Sequence, residues 1–414
     1  MDTTNKKKIV NDPVHGFINI QHPIVFDLIE HPYFQRLRNI KQLGLTYLVY
    51  PGANHNRFQH ALGALHLMNE AILTLRSKGH SISDAEAEAA NIAILLHDIG
   101  HGPFSHSLEY SIAKDVSHET ISSCFIHWLN KEMGGQLNMA MDVFDDRYPK
   151  RFLHQLVSSQ LDMDRLDYLR RDSFFSGVTE GTVGVERIIK MLNVVNDKLV
   201  VEAKGIYSVE KFLIARRLMY WQVYLHKTVV VAEQTLIKML QRARELAQMG
   251  DDLFASPSLK YFLKNDVTKN DFTFTSSSLK PSVALIHFSN LDDNDIMMAA
   301  KIWQSHTDST LSKLASMLVN RKLLKVELKG IPFEASRIES VRKQVISEHP
   351  EYENNIDFFV FSDSVSNNAY SSNDDSIKIL YNNGELVDIA DASDILNTQA
   401  LSTEVKKYFL CYPK

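Results

Sequence analysis

Residues 95–106 read Leu95-Leu96-His97-Asp98-Ile99-Gly100-His101-Gly102-Pro103-Phe104-Ser105-His106, and this stretch decides how the rest of the chain is read. An apolar helical run, Ile92 to Ile99, ends there in imidazole and carboxylate groups, with Gly100 well placed as the helix stop. A neutral imidazole beside a carboxylate at the buried end of a helix is costly unless both are paired, and a divalent cation serves both. The competing reading is a hydrogen-bonded His–Asp pair that only caps the helix.

The adjacent pair His97-Asp98 supplies two ligands, so a cation needs at least two more from other helices. His60 upstream and Asp164 downstream offer them, giving the order His, His-Asp, Asp. This mixed nitrogen and oxygen set suits Mn, Fe, Mg, Ni or Zn without choosing among them. Nine of the 17 histidines lie between His55 and His127, but clustering alone proves little, and His66, His80 and His127 read as structural residues.

Other groups fall into line with these four. Arg57 and His60 are three apart at a helix start, where Asn56 and Gln59 have capping-box spacing and the helix terminus favours anions, so the pair can place a phosphate beside the metal; a surface salt bridge is the alternative for Arg57. Ser83 and Glu86 mark a second capping box. Asp164, Tyr168 and Asp172, four apart, line one helical face, and Arg216, Tyr220, Tyr224 and Lys227 make a basic and aromatic stripe that would otherwise be a solvated face.

The rest of the chain bounds the answer. Its 414 residues, 44% hydrophobic and 23% charged, predict one large soluble core domain with an appendage. A net charge of -5 argues against a surface built to coat nucleic acid. Two cysteines without CxxC spacing, no apolar leader after the lysine-rich start and no membrane-length apolar run together predict a cytoplasmic protein. Periodicity predicts a mainly α fold: an N-terminal arm or hairpin over 1–22, a helical core over 23–264 and a smaller α+β subdomain over 265–414. Within these, one long helix is expected from about Val209 to Gln248, strands at Lys198–Val201, Leu324–Leu328, Asp357–Phe361 and Ile377–Tyr381, a hairpin turn at Asn382-Asn383-Gly384, and a polar mobile loop from Ser362 to Ser376.

Over Lys8 to about Lys227 the chain resembles the deoxynucleotide triphosphohydrolases of the sterile-alpha-motif and HD-domain family and their bacterial relatives, with no sterile-alpha-motif domain expected ahead of it. The resemblance runs through Asn11-Asp12-Pro13-Val14-His15-Gly16, Phe34-Gln35-Arg36-Leu37-Arg38, Ile40-Lys41-Gln42-Leu43-Gly44, His55 to His60, His97 to His106 and Asp164 to Asp172. It implies that His60, His97, Asp98 and Asp164 bind the metal. It also implies that Arg57, His101, His106, Arg216, Tyr224 and Lys227 surround a triphosphate, with Arg165 beside the metal aspartate, while Gln42, Leu43, Tyr168 and Asp172 hold a deoxyribose. The implied reaction is attack of metal-activated water on the α-phosphorus of a dNTP, giving deoxynucleoside and tripolyphosphate. His106 or His118 would supply the proton, with Glu109 or Glu119 holding the imidazole.

The chain departs from the family pattern at three site positions: Leu225 replaces a glutamine, Glu109 an aspartate and Arg165 a lysine. The family's nucleotide activator site between subunits would fall on Asn11, Glu30, Gln35 and Arg38, with Glu30 in place of a guanine-reading aspartate and Phe17 in place of a histidine; a plain dimer interface is the alternative. A nucleotide substrate and a homo-oligomer, dimer or tetramer, are the expected partners. Two other functions compete: an HD phosphatase or nucleotidase acting on another phosphoester, and a non-catalytic nucleotide sensor. The second should have lost a metal ligand or a phosphate-facing histidine, and none is missing.

Overall fold

Capping residues start the two helices that carry much of the site. Asn56 Oδ1 accepts from the Gln59 amide and Gln59 Oε1 from the Asn56 amide, both at 3.0 Å, and the helix Arg57–Ser77 follows. Ser83 and Glu86 close the same reciprocal pair, at 3.2 and 2.8 Å, ahead of Asp84–Leu96. In the computed structural model, which describes residues 8–104, 116–274, 278, 280–367, 370, 376–394 and 405–414, Arg57–Ser77 is buried almost all round and packs against Asp84–Leu96 and Met163–Ser176. A helix apolar on most faces has to be central, and this one forms the axis of the core.

Glu86 does more than cap. Its carboxylate also accepts from Tyr148 Oη at 2.8 Å and Lys150 Nζ at 2.9 Å. Burial disfavours its charge, but the bonds from Lys150, Ser83 and Tyr148 win and hold its pKa near 2. A depressed carboxylate stabilises the fold above its unfolded pKa and loses that contribution as pH falls through its folded value. Glu86→Gln should therefore cost about 1.5–3 kcal/mol at pH 7. The gap to the parent should narrow as denaturant melts are repeated below about pH 4.5.

The protein is mainly α with a smaller α+β part. Strands β1 (Lys8–Asp12) and β2 (Gly16–Ile20) form the N-terminal hairpin, in which Asn11 faces Phe17 and Gly16, the first residue after the turn, takes φ +77°. Strands β3 (Leu192–Val195) and β4 (Lys198–Glu202) form a second hairpin, and β5 (Lys325–Lys329), β6 (Phe361–Asn367), β7 (Lys378–Leu380), β8 (Leu386–Asp388) and β9 (Val405–Tyr412) lie in the C-terminal part. The orders are β3-β4-β7-β8 and β5-β9-β6, so the parallel β4–β7 pair joins one sheet across position 265. The Asn382-Asn383-Gly384 turn links β7 to β8, with Gly384 at φ +84°. No helix of the described residues is long and apolar enough to cross a membrane.

Four local expectations are corrected. The helix expected over 209–248 is two, Ile206–Met219 and Lys227–Gln248, separated by a π turn at Tyr220–Tyr224 in which the Leu225 amide bonds Tyr220 O; no Gly or Pro marks the break, which is why the sequence pattern joined them. Residues 350–358 form 3₁₀ turns where a strand was expected from Asp357. The polar stretch from Ser362 begins as a strand through Asn367, because β9, some 40 residues on, supplies its ladder. Gly100 is no helix stop: the helix ends at Leu96, and a Cβ on Gly100 would lie 2.3 Å from His118 O and Ser122 N. Its missing side chain lets the His118–Glu132 helix approach the His97-Asp98 segment.

Candidate metal and phosphoester site

Three helices bring the His, His-Asp, Asp residues together. His60 sits in the first turn of Arg57–Ser77, His97 follows Leu96 at a helix end, and Asp164 lies in the first turn of Met163–Ser176, where the dipole favours a carboxylate. Asp162 caps that last helix through the Arg165 amide at 2.7 Å. His60 Nε2 stands 3.3 Å from His97 Nε2 and 3.1 Å from Asp164 Oδ1, and His97 Nε2 is 3.4 Å from the same oxygen. Asp98 closes the group, 3.4 Å from His97 Nε2 and 3.7 Å from His60 Nε2.

The electrostatics of this cluster favour a cation. Burial works against a charged His60, but hydrogen bonds to Asp164 and Asp167 overcome it and lift its pKa to about 10. Burial likewise opposes the Asp98 carboxylate, yet His101, His97 and Arg57 hold it well below its usual range. His60, His97 and Asp164 offer ligand atoms all within 4.8 Å of one another, with Asp98 beside the two imidazoles, and this donor set fits a divalent cation, which would take the place of the proton.

Behind His60 lies a residue that sequence reasoning gave no role. Asp167 is fully buried; its Oδ2 accepts from His60 Nδ1 and Arg171 Nε, both at 2.8 Å, and its Oδ1 meets His15 Nε2 at 2.6 Å and Arg171 Nη2 at 3.0 Å. Arg171 in turn bonds Asp12 of β1 at 2.8 Å. With the Nδ1 proton committed to Asp167, His60 presents Nε2 to the cluster. Gly63 is required for this arrangement, since a Cβ there would stand 2.0 Å from Asp167 Oδ1. The helical spacing of Asp164, Asp167 and Arg171 was a usable signal, whereas His15, 152 residues away, was not.

The remaining expected site residues surround this centre unevenly. His101 is buried with Nδ1 3.2 Å from Asp98 Oδ1, and its ring stacks on His118 at 4.0 Å. Burial, then Arg57, push His101 down to about 3. His118 Nε2 is 3.4 Å from Glu119. His106 and Glu109 lie outside the described residues. Arg57 is buried and pairs with Asp98, so it is not a surface salt bridge. Arg165 is drawn onto Asp162. Asp172 is buried and engaged on both oxygens, by His55 Nε2 at 2.7 Å and Tyr224 Oη at 2.8 Å; His55 had been given no role.

The Tyr168 ring stands 6.5 Å from His60 and 6.2 Å from Tyr224, so an aromatic wall borders the metal cluster. Arg216 is buried and reaches Gln160 at 3.3 Å, while Lys227 is exposed at the first position of its helix. Gln42 and Leu43 are half-buried at the start of a 3₁₀ turn.

Comparison with known proteins agrees with this geometry. Residues 57–168 match the HD domain and residues 183–256 the HD associated region. An uncharacterised protein of Bacillus subtilis, YwfO, is 34% identical over 326 residues, covering 77% of this chain and 71% of its own. The chain belongs to the HD-domain family. The crystal structure of a phosphohydrolase from Bacteroides thetaiotaomicron is similar to this HD protein with a TM-score of 0.93 and 55% identity, over 99% of this chain and 100% of that one. A deoxynucleoside triphosphate triphosphohydrolase SAMHD1 homologue of Dictyostelium discoideum is 30% identical over 266 residues, 59% of this chain and 51% of that protein. The HD protein is accordingly a metal-dependent hydrolase of the phosphohydrolase type.

Of the four residues assigned to an activator, the HD protein joins two. Arg38 Nε donates to Gln35 Oε1 at 2.7 Å, and its guanidinium lies 3.6 Å over the Phe58 ring. Asn11 is exposed on β1 and Glu30 is exposed at the end of Pro23–Glu30.

Proposed function

We propose that this HD protein hydrolyses dNTPs to deoxynucleoside and tripolyphosphate. The observation that carries the reading is the convergence of His60, His97 and Asp164, with Asp98 beside them, next to two further groups: the His101–His118 stack, and the wall formed by Tyr168, Tyr224 and Asp172. A bound divalent cation lowers the pKa of water and withdraws charge from phosphoryl oxygens. The four clustered side chains would hold it. Arg57, fixed by Asp98, adds positive charge at the phosphate. His118 or His106 protonates the departing 5′-oxygen, and Glu119 orients His118. In this reading Leu43 and the Tyr168 ring would pack against C2′ and so disfavour a 2′-hydroxyl, while Gln42, Asp172, Arg216, Tyr224 and Lys227 would complete the nucleotide pocket. The Gln35–Arg38 pair, with Asn11 and Glu30, serves as a nucleotide activator site in a dimer or tetramer.

A second reading, hydrolysis of a smaller phosphoester, is favoured by two engaged groups. Arg165 is taken up by Asp162, and both Asp172 oxygens already have partners. Product analysis separates the two. Incubated with each dNTP and NTP and with Mn²⁺, Mg²⁺, Fe²⁺, Ni²⁺ or Zn²⁺, the protein should release tripolyphosphate and prefer the deoxy substrates. Tyr168→Ala should reduce that preference by about 10-fold or more. Equal turnover of dGTP and GTP would remove the deoxyribose pocket, and orthophosphate as the only inorganic product would select the second reading.

A further inference from the structure

Residues 291–293 lie beyond both family-matched segments, yet they reach the site. Asp293 is 5% exposed; its Oδ2 accepts the Lys41 amide at 2.9 Å and its Oδ1 the Phe104 amide at 2.8 Å. We propose that Asp293 is a positioning residue that clips the Lys41–Gly44 loop to the loop that follows His101, so that the C-terminal part of the chain completes the site. The kinetic consequence rests on the reading of Gln42 and Leu43 as substrate-facing; the clip itself does not.

Asp293 is not needed where it stands for its own helix. Asp292 caps Asp293–Trp303, accepting the Asn294 amide at 2.8 Å and donating its own amide to Asp295 at 2.8 Å. The Asp293 carboxylate is therefore spent on two loops from elsewhere in the chain. Burial pushes its pKa up to about 6 in spite of the two amides, so a carboxylate here is disfavoured and some local requirement must hold it in place.

Both loops need holding. Phe104 has φ +50°, in the left-handed region that a residue with a side chain rarely adopts, and its amide is one of the two held. Gly44, at φ +48°, would bring a Cβ to 3.6 Å from Phe104 O, so the two loops already touch. Arg36 adds a second stitch, donating to Ile99 O at 2.8 Å and Leu291 O at 3.2 Å.

The hold on Lys41 passes directly to substrate-side groups. Lys41 bridges to Asn56, the Gln42 amide bonds His55 O at 3.0 Å, and the Arg57 amide bonds Ile40 O at 3.0 Å. A shift of the Lys41 peptide thus moves Gln42, Leu43 and the start of the Arg57–Ser77 helix together. Misplacement of positioning groups by an ångström is enough to cost up to about 100-fold in rate.

The test uses the full chain with Asp293→Asn and Asp293→Ala. Asparagine matches the carboxylate in size but turns an NH₂ towards one of the two amides, so it keeps one bond and carries the comparison if the alanine variant folds poorly. Hydrogen exchange followed by mass spectrometry should show both the Lys41 and Phe104 amides exchanging at least about 10-fold faster in Asp293→Ala, and one of the two doing so in Asp293→Asn, with bound metal at the parental stoichiometry. The KM for dGTP should rise about 10-fold with a smaller change in kcat, more in Asp293→Ala than in Asp293→Asn. Parental exchange at both amides, or faster exchange with unchanged kinetic constants, would overturn the positioning role. A parent protein inert towards dGTP would instead refute the proposed substrate; the exchange arm still stands, and the kinetic arm is then read with bis(p-nitrophenyl) phosphate.

Discussion

Asp164→Ala should release the bound metal and lower phosphoester turnover by at least about 10³-fold, some 4 kcal/mol of barrier, while the helical circular dichroism stays at the parental level. Asp164 is the cleanest ligand to remove. Its carboxylate contacts His60 and His97, and with it gone His60 keeps Asp167 and His97 keeps Asp98 as carboxylate partners, so its loss strands no buried charge. Asp98 makes a less clean test, because it also neutralises buried Arg57 and holds His101. Elemental analysis of the purified Asp164→Ala protein, alongside its activity with added Mn²⁺, decides the matter: stoichiometric metal with normal turnover would remove Asp164 from the centre.

The second large effect is expected one step away from the cation. Asp167→Asn should weaken Mn²⁺ binding about 10–100-fold, as loss of a carboxylate behind a ligating histidine does. Asp167 accepts from His60, His15 and Arg171, all donors, and an amide nitrogen in place of either oxygen would face one of them. Asp167→Ala goes further, leaving buried Arg171 with Asp12 as its one carboxylate partner among the described residues, and should cost about 3–5 kcal/mol of stability. Titration of metal-free protein with Mn²⁺, together with denaturant melts, separates the two effects. An Asp167→Asn protein that folds normally and binds Mn²⁺ with parental affinity would contradict the orienting role.

Much of the site was legible because its residue types and spacings are local. His97-Asp98 at a helix end, Arg57 and His60 on one face, and Asp164, Tyr168 and Asp172 four apart are each fixed by helical geometry once the helix is recognised. The capping boxes at Asn56 and Ser83 could be read for the same reason, since both partners lie within three residues. Local reading failed where the decisive partner is distant. The π turn at Tyr220–Tyr224 contains no Gly or Pro, so no breaker residue marks it. The polar β6 is a strand because β9 offers it a ladder, and Gly100 serves a helix that begins at His118.

The same division holds for function. The sequence by itself determined the donor chemistry: two imidazoles and two carboxylates, an adjacent arginine, and a mainly α frame to carry them. Only the tertiary structure decided which donors are spoken for. It placed Asp167 behind His60, tied Arg165 to Asp162, closed both oxygens of Asp172, and brought Asp293 from the C-terminal part to hold two site loops. The physical reason is that a buried polar group takes whichever partner the packing of distant segments delivers, and the periodicity of its own helix carries no record of that partner.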